Sequence, residues 1–273
     1  MTKHPFDDAM SAVLSRRRFL TQAGISAAAI AGMAAIARPA QARGVSHDVA
    51  IVQAAATAEA LATTMYYNII ASAIYQDPLI AGNDQAYLVA GYEEELDHYN
   101  LLSSVAPALS LDFYFPTGMF GDSSTYATTV NTLITLEDAF IAAYLIGIRD
   151  LSPGYQVLAG QIMGVECEHR ALGRVLAADL NLHSTTGYSG VAEGVDSPSN
   201  TANNLAYQRT FGSPFVSPSG LPTLNQISDV EAALTPFISP GTAGFTAAPY
   251  GFAASSKGLP SGVASVMLAD STP

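Results

Sequence analysis

The chain has 273 residues, 49% of them hydrophobic and only 12% charged, which is enough apolar side chain for a sizeable core in one ordinary domain with extensions. A single cysteine, Cys167, excludes a disulfide framework, a thiolate zinc site and a rubredoxin-like iron centre. The formal net charge of -12 argues against a phosphate-neutralising surface, so no nucleic-acid partner is expected.

Residues 1–42 read as a targeting segment rather than as part of the fold. Ser15-Arg16-Arg17-Arg18-Phe19-Leu20 resembles the twin-arginine export signal, and an Ala-rich, mildly hydrophobic run follows from Phe19 to Ala37. Ala40-Gln41-Ala42 is the small-x-small pattern after which a signal peptidase cuts. The expectation is export to the periplasm or beyond, with the twin-arginine machinery engaging Arg16 and Arg17 and cleavage after Ala42. An uncleaved membrane anchor is the alternative, because the run approaches the length of a span. Removing residues 1–42 takes away five of the eleven basic residues and only two acidic ones, so the remaining chain is more acidic still.

Residues 43–187 contain four stretches with helical spacing of apolar residues. The first is expected from about Ser46 to Gln76, stopping at Asp77-Pro78. Asn83 or Asp84 can cap the second, which continues to about Val105, before Pro107. The third begins near Asp122-Ser123-Ser124 and runs to about Arg149. Ser152 as cap and Pro153 at the first helical position, where a missing N–H costs nothing, open the fourth, which persists to about Leu180. The first and third connections are short, as antiparallel neighbours require. The second, from about Ala106 to Gly121, carries Pro107, Pro116, Gly118 and Gly121. About 15 extended residues reach roughly 50 Å, enough to traverse helices of about 36 Å. The fold class expected is therefore all-α, a four-helix bundle with one long crossover connection.

Residues 188–273 change character: nine of the fifteen prolines lie there, with much Ser, Gly and Ala. This C-terminal extension reads as largely irregular, wrapping the bundle or a neighbouring subunit. One short helix is expected from Asp229, with Ser228 and Glu231 as a capping box and an end at Thr235-Pro236.

Six ionisable side chains on the apolar helices stand out: Glu59, then Glu95 with His98, then Glu137, then Glu166 with His169. A spacing of three is about one turn, so each Glu-x-x-His pair shares a face and can bind one ion. Antiparallel helices place two residues at equal depth only if the turn lies midway between them. The midpoint of Glu59 and Glu95 falls at Asp77, and that of Glu137 and Glu166 falls between Leu151 and Ser152, so both hairpins bring their carboxylates to matching heights. Such carboxylates are costly to bury unpaired, and the helices offer only Arg149, Arg170 and Arg174, none evidently on the ligand faces. Four carboxylates and two divalent ions make a neutral interior. Two helices each giving a Glu and two each giving Glu-x-x-His is the ligand set of dinuclear carboxylate sites in bundles. Metal: Glu59, Glu95, His98, Glu137, Glu166 and His169 are the candidate ligands of two transition-metal ions, iron or manganese, which this donor set does not tell apart.

Other residues carry smaller expectations. Tyr66 and Tyr144 lie seven after Glu59 and Glu137, two turns along the same faces. Core packing is the common role for such aromatics, and a substrate gate or electron relay the alternative. Asp97, Asp138 and Glu168 are candidates to orient the imidazoles, or are exposed or capping. Cys167 reads as a buried inert thiol, and His47 and His183 lie at helix ends with no Glu three before.

The stretches Glu59-Ala60-Leu61 to Tyr66-Tyr67, Glu95-Leu96-Asp97-His98, Leu136-Glu137-Asp138 to Tyr144 and Glu166-Cys167-Glu168-His169-Arg170 resemble the bacterial ferritin-like domain family, which includes proteins described as desiccation-related. The resemblance covers about residues 45–185 and implies the ferritin-like fold and a metal site more strongly than a reaction. Ferroxidase, peroxidase and manganese-catalase chemistry all suit the ligand set, with small oxidants or metal ions as partners. The alternative is a non-catalytic stress-protective protein in which the metal acts as a structural staple. A homo-oligomer is compatible with either, and a hollow iron-storage shell would have to accommodate the long extension.

Overall fold

The computed structural model describes residues 45–80, 82–180, 182 and 227–266. The targeting reading of residues 1–42, the extension reading over 188–226 and 267–273, and His183 lie outside the described residues. The elements are α1 (Val45–Ile70), α2 (Asn83–Ser103), β1 (Tyr114–Pro116), α3 (Tyr126–Asp150), α4 (Pro153–Asp179), α5 (Ile227–Ile238), β2 (Phe245–Ala247) and α6 (Phe252–Ser255). Four long helices pack pairwise, and the chain is the mostly helical bundle expected.

The helix ends follow local chemistry. α1 stops at Ile70, six residues short of the expected Gln76, because Ser72 intervenes before Pro78 does. The Ser72 hydroxyl donates to the Ile69 carbonyl at 2.7 Å and accepts the Ile74 N–H at 3.2 Å, turning the chain out of the helix. α2 is entered through Gly82 at φ 59, so Asn83 is the first helical residue and neither it nor Asp84 serves as the cap; glycine alone takes this left-handed conformation at no steric cost. Before α3 the Asp122 carboxylate accepts the Ser124 N–H at 2.9 Å and caps a short 3-10 turn, Ser123–Thr125. Pro153 opens α4 as expected. The stretch from Ser123 to Asp150 is long and apolar enough to cross a membrane, but 67% of its most apolar window is buried here as bundle core.

Two apolar clusters fix the helix directions. One joins Leu61, Met65 and Ile69 of α1 to Leu88 of α2, Val130 and Leu133 of α3 and Leu176 of α4. The other joins Ile51 and Val52 at the start of α1 to Leu102 at the end of α2, Tyr144 late in α3, and Leu158 and Ile162 early in α4. Helix α1 therefore runs antiparallel to α2 and α3 and parallel to α4, which requires the segment between α2 and α3 to traverse the bundle. The Thr57 hydroxyl accepts the Leu109 N–H at 2.8 Å and pins that crossover to α1.

The described part of the C-terminal extension straps its own bundle. Strand β2 pairs antiparallel with β1 of the crossover, Tyr114 opposite Ala247 and Pro116 opposite Phe245. The Asn68 side chain, 2% exposed on α1, accepts the Tyr250 N–H at 2.9 Å and donates to the Tyr250 carbonyl at 2.8 Å. Tyr92 donates to the Ser255 carbonyl at 2.7 Å, and Tyr99 packs edge-on to Phe252 at 4.5 Å between ring centroids. The extension helix α5 starts at Ile227 and continues through Pro236 to Ile238, beyond the expected stop. Proline removes one N–H donor but keeps a helical φ, and the turn after it closes through the Ser239 N–H to the Thr235 carbonyl at 3.0 Å.

Replacing Asn68 with Ala leaves both Tyr250 backbone groups without their side-chain partner and is expected to cost about 2 kcal/mol. Urea denaturation of the variant checks this; a loss within experimental error would show that the strap is held by its aromatic contacts alone.

Candidate metal centre

The site lies between the two apolar clusters, where all four long helices face one another. The structure brings together all six side chains that the spacing selects. Glu59, Glu95, Glu137 and Glu166 are each 2% exposed or less, His169 1% and His98 8%. They fall into two sets, Glu59, Glu95, His98 and Glu166, and Glu95, Glu137, Glu166 and His169, each with one ligating atom per residue within 4.8 Å of the others. Glu95 and Glu166 belong to both sets. The first set adds the remaining glutamate and histidine of the α1–α2 hairpin, and the second adds those of the α3–α4 hairpin.

The hydrogen bonds show which atoms are left to bind something. The Tyr144 hydroxyl donates to Oε1 of Glu59, and the Tyr66 hydroxyl donates to Oε1 of Glu137 at 2.8 Å. Each tyrosine thus crosses from one hairpin to the carboxylate of the other. What remains without a hydrogen bond is Oε2 of Glu59, Oε2 of Glu137, both oxygens of Glu95 and of Glu166, and Nδ1 of His98 and of His169. Four atoms are available to each set: one outer carboxylate oxygen, one ring nitrogen, and one oxygen from each shared glutamate.

These atoms approach one another without forming good hydrogen bonds. His98 Nδ1 is 3.3 Å from Glu59 and 3.5 Å from Glu166; His169 Nδ1 is 3.0 Å from Glu95, 3.5 Å from Glu166 and 3.9 Å from Glu137. Atoms that share a focus rather than a bond axis have this pattern. Bonds of roughly 2.1 Å from nitrogen and oxygen to a metal would place ligands of one ion up to about 4 Å apart, close to the spread observed. Buried acceptors left unmade are rare in native proteins and call for a partner. The buried Glu and His groups fit a metal, and four protein atoms per set leave open positions on an ion that prefers more ligands.

Protonation without metal is correspondingly unusual. Burial, together with the facing carboxylates of Glu166 and Glu59, drives Glu95 well above the ordinary carboxyl range. Burial likewise raises Glu137, against the pull of His169. Burial opposes ionisation of Glu166 too, but contacts with both imidazoles override it and hold this group below the ordinary range. For His98, burial favours the neutral ring, yet Glu166 and Glu59 lift it from 6.5 to about 10. His169 is raised in the same way by Glu166, Glu94 and Glu95. The metal-free site therefore stores protons that ions must displace.

Glu94 is the residue that spacing missed. Its carboxylate meets Nε2 of His169 at 2.9 Å, reaching from α2 across to α4. A carboxylate on the far nitrogen fixes the proton there and turns the Nδ1 lone pair to the ion. Of the three candidates for that role, Asp138 meets Arg170 at 3.2 Å, both of them buried, Glu168 is exposed, the other setting expected for it, and the carboxyl of half-buried Asp97 is raised by burial against the pull of His98. Tyr66 and Tyr144 do more than fill the core, since both bond ligand carboxylates. Cys167 is half-buried with its thiol raised by burial, and belongs to neither ligand set.

Comparison with known proteins comes to the same architecture: residues 47–179 match the family model described as the ferritin-like domain. No curated protein and no protein of solved structure matches the chain.

Two outcomes are expected. Glu94→Gln should weaken metal affinity by about 10- to 100-fold, read by competition with a chromogenic chelator; an unchanged constant would remove Glu94 from the site. The second concerns pH. His98 is raised above 6.5 to about 10, so its stabilising contribution is complete below 6.5 and is lost as pH climbs through 10. The raised Glu95 and Glu137 have the same sign, whereas Glu166 acts only on acidification. The Tm of metal-free protein should fall across that alkaline window while that of metal-saturated protein holds; parallel curves would contradict the protonation scheme.

Proposed function

We propose that Glu59, Glu95, His98, Glu137, Glu166 and His169, within residues 47–179 that match the ferritin-like domain, hold two transition-metal ions, iron or manganese, in an exported protein that acts on O₂, peroxide or Fe(II). The observation that carries this reading is the set of unbonded atoms, which falls into two groups of four residues with Glu95 and Glu166 in both. Four carboxylates against two divalent ions give a neutral interior, which removes the cost of burying charge without any lysine or arginine among the ligands. Export rests on Arg16, Arg17 and the Ala40-Gln41-Ala42 pattern.

Bound there, such ions would supply electron exchange and Lewis acidity toward small oxidants. The chain's own residues do the rest. Glu59 and Glu137 offer one oxygen each, because their tyrosines occupy the other. Glu95 and Glu166 would each offer an oxygen to both sites. His98 and His169 anchor opposite ends, His169 with its tautomer set by Glu94. The apolar clusters above and below exclude bulk water from the centre. Nothing in the site reads a large substrate, which favours metal ions and small oxidants themselves as the reactants.

Protein purified from its native host should contain close to two iron or manganese ions per chain by elemental analysis, and Glu95→Ala should retain less than half of that. Metal-loaded protein should consume Fe(II) with O₂ or decompose peroxide. A protein that binds two ions and gains stability from them but consumes neither substrate would be a structural staple. One that is folded and metal-free in its host would remove the proposal altogether.

A further inference from the structure

The inner faces of α2 and α4 carry more than ligands. Tyr87, Gly91, Glu95 and His98 follow one another at spacings of three or four along α2, and Glu166, His169 and Gly173 do so along α4. Each set therefore lies on one helix face. Glycine in a helix interior destabilises it relative to alanine, so a glycine on each ligand-bearing face marks a need for space. A β-carbon on Gly91 would fall 2.7 Å from the Tyr66 ring, and one on Gly173 would fall 3.3 Å from the Tyr87 hydroxyl. Two phenols take that space. Tyr66 is fully buried and Tyr87 6% exposed, with ring centroids 6.1 Å apart at 90°.

The two tyrosines form a row that ends on the candidate ligands. Tyr66 donates its proton to Oε1 of Glu137 at 2.8 Å, and its ring centroid lies 5.7 Å from that of His169. The Tyr87 hydroxyl stands 3.0 Å from the Tyr66 oxygen and 3.0 Å from the His169 carbonyl, one proton between two acceptors. That carbonyl lies inside α4, where it accepts a helical N–H. The Tyr66 oxygen has given its own proton to Glu137 and has lone pairs to fill. An oxygen that accepts from Tyr87 turns its proton away from that donor, and each hydrogen bond in such a row polarises the next. Tyr144, which holds Glu59, stands instead in the apolar cluster of Ile51, Leu102, Leu158 and Ile162.

We propose that Tyr87 is a positioning residue for the metal position of Glu137 and His169. Acting through the Tyr66 hydroxyl, it keeps Oε1 of Glu137 engaged, so that Oε2 alone is presented to the ion. The role rests on the metal reading above and assigns a supporting residue to one of its two positions.

Tyr87→Phe removes one oxygen and keeps the ring, so the helices should pack as before. Crystals of the full chain equilibrated with limiting Mn(II) should show two anomalous peaks in the parent protein. In the variant the peak beside His169 should weaken relative to the peak beside His98. In solution, metal-free protein titrated with Mn(II) and followed by the EPR signal of the free ion should lose about tenfold in one binding constant, the lower end for a residue that supports a ligand from outside. The other constant should change less than twofold. Tyr66→Phe should weaken the same position, and adding Tyr87→Phe to it should change that constant by less than a further twofold. Equal loss at both positions would mark Tyr87 as packing alone and overturn the proposal. So would a loss that persists in full in the Tyr66→Phe background. A parent protein that takes up neither Mn(II) nor Fe(II) would refute the metal reading itself, so the two failures are distinct.

Discussion

The structure depends on the burial of six ionisable side chains at one depth of a largely apolar bundle. Four carboxylates and two imidazoles meet where the four helices face each other, and the structure places no lysine or arginine among them. Such a cluster is stable only if something neutralises it. Protons do so partially, at the cost of unmade hydrogen bonds; two divalent ions would do so fully and would use the atoms left over. The bundle can be seen as a device for holding these groups at a common depth against that penalty.

The arrangement is nearly symmetric, and both the symmetry and its failures carry meaning. Each hairpin supplies an outer glutamate, a shared glutamate and a histidine, and each lends a tyrosine to the other hairpin's outer carboxylate. Those two phenols tie the hairpins together across α1 and α3, which have no short connection between them, and confine Glu59 and Glu137 to one free oxygen each. On one side the surroundings are polar and filled: Tyr87 braces Tyr66, aided by Gly91, where a β-carbon would fall 2.7 Å from the Tyr66 ring, and Glu94 braces His169. On the other side Tyr144 stands among apolar side chains, Ile51, Leu102, Leu158 and Ile162. Two ions held by equivalent ligands would therefore sit in unequal environments.

The convergence of the six side chains was legible in the sequence because its rules are one-dimensional. A spacing of three puts Glu95 beside His98 and Glu166 beside His169, and the position of each turn fixes depth. The observed turns, between Ile70 and Asn83 and between Asp150 and Pro153, lie where the midpoints require. What stayed hidden is what depends on direction across the bundle. Glu94 lies between Glu93 and Glu95, one residue off the face that the spacing selects, and only the packing of α4 against α2 shows that its carboxylate meets His169. The cross-bonding of Tyr66 and Tyr144 had the same obstacle, since the Glu-to-Tyr spacing gives a face but not a partner. The clasp of Asn68 on Tyr250 joins residues 182 positions apart, a separation at which no local pattern survives. The early end of α1 was obscured for the opposite reason: Pro78 is a strong stop signal, and the weaker local signal of Ser72 acts first.

The central claim is that two ions occupy the midline of the bundle, each beside one histidine, with Glu95 and Glu166 between them. Anomalous diffraction from crystals of the native protein, collected at the iron and manganese absorption edges, tests it most directly. The account predicts two peaks, one within bonding distance of His98 Nδ1 and one of His169 Nδ1. A single peak, or none in a bundle that keeps this geometry, would contradict it.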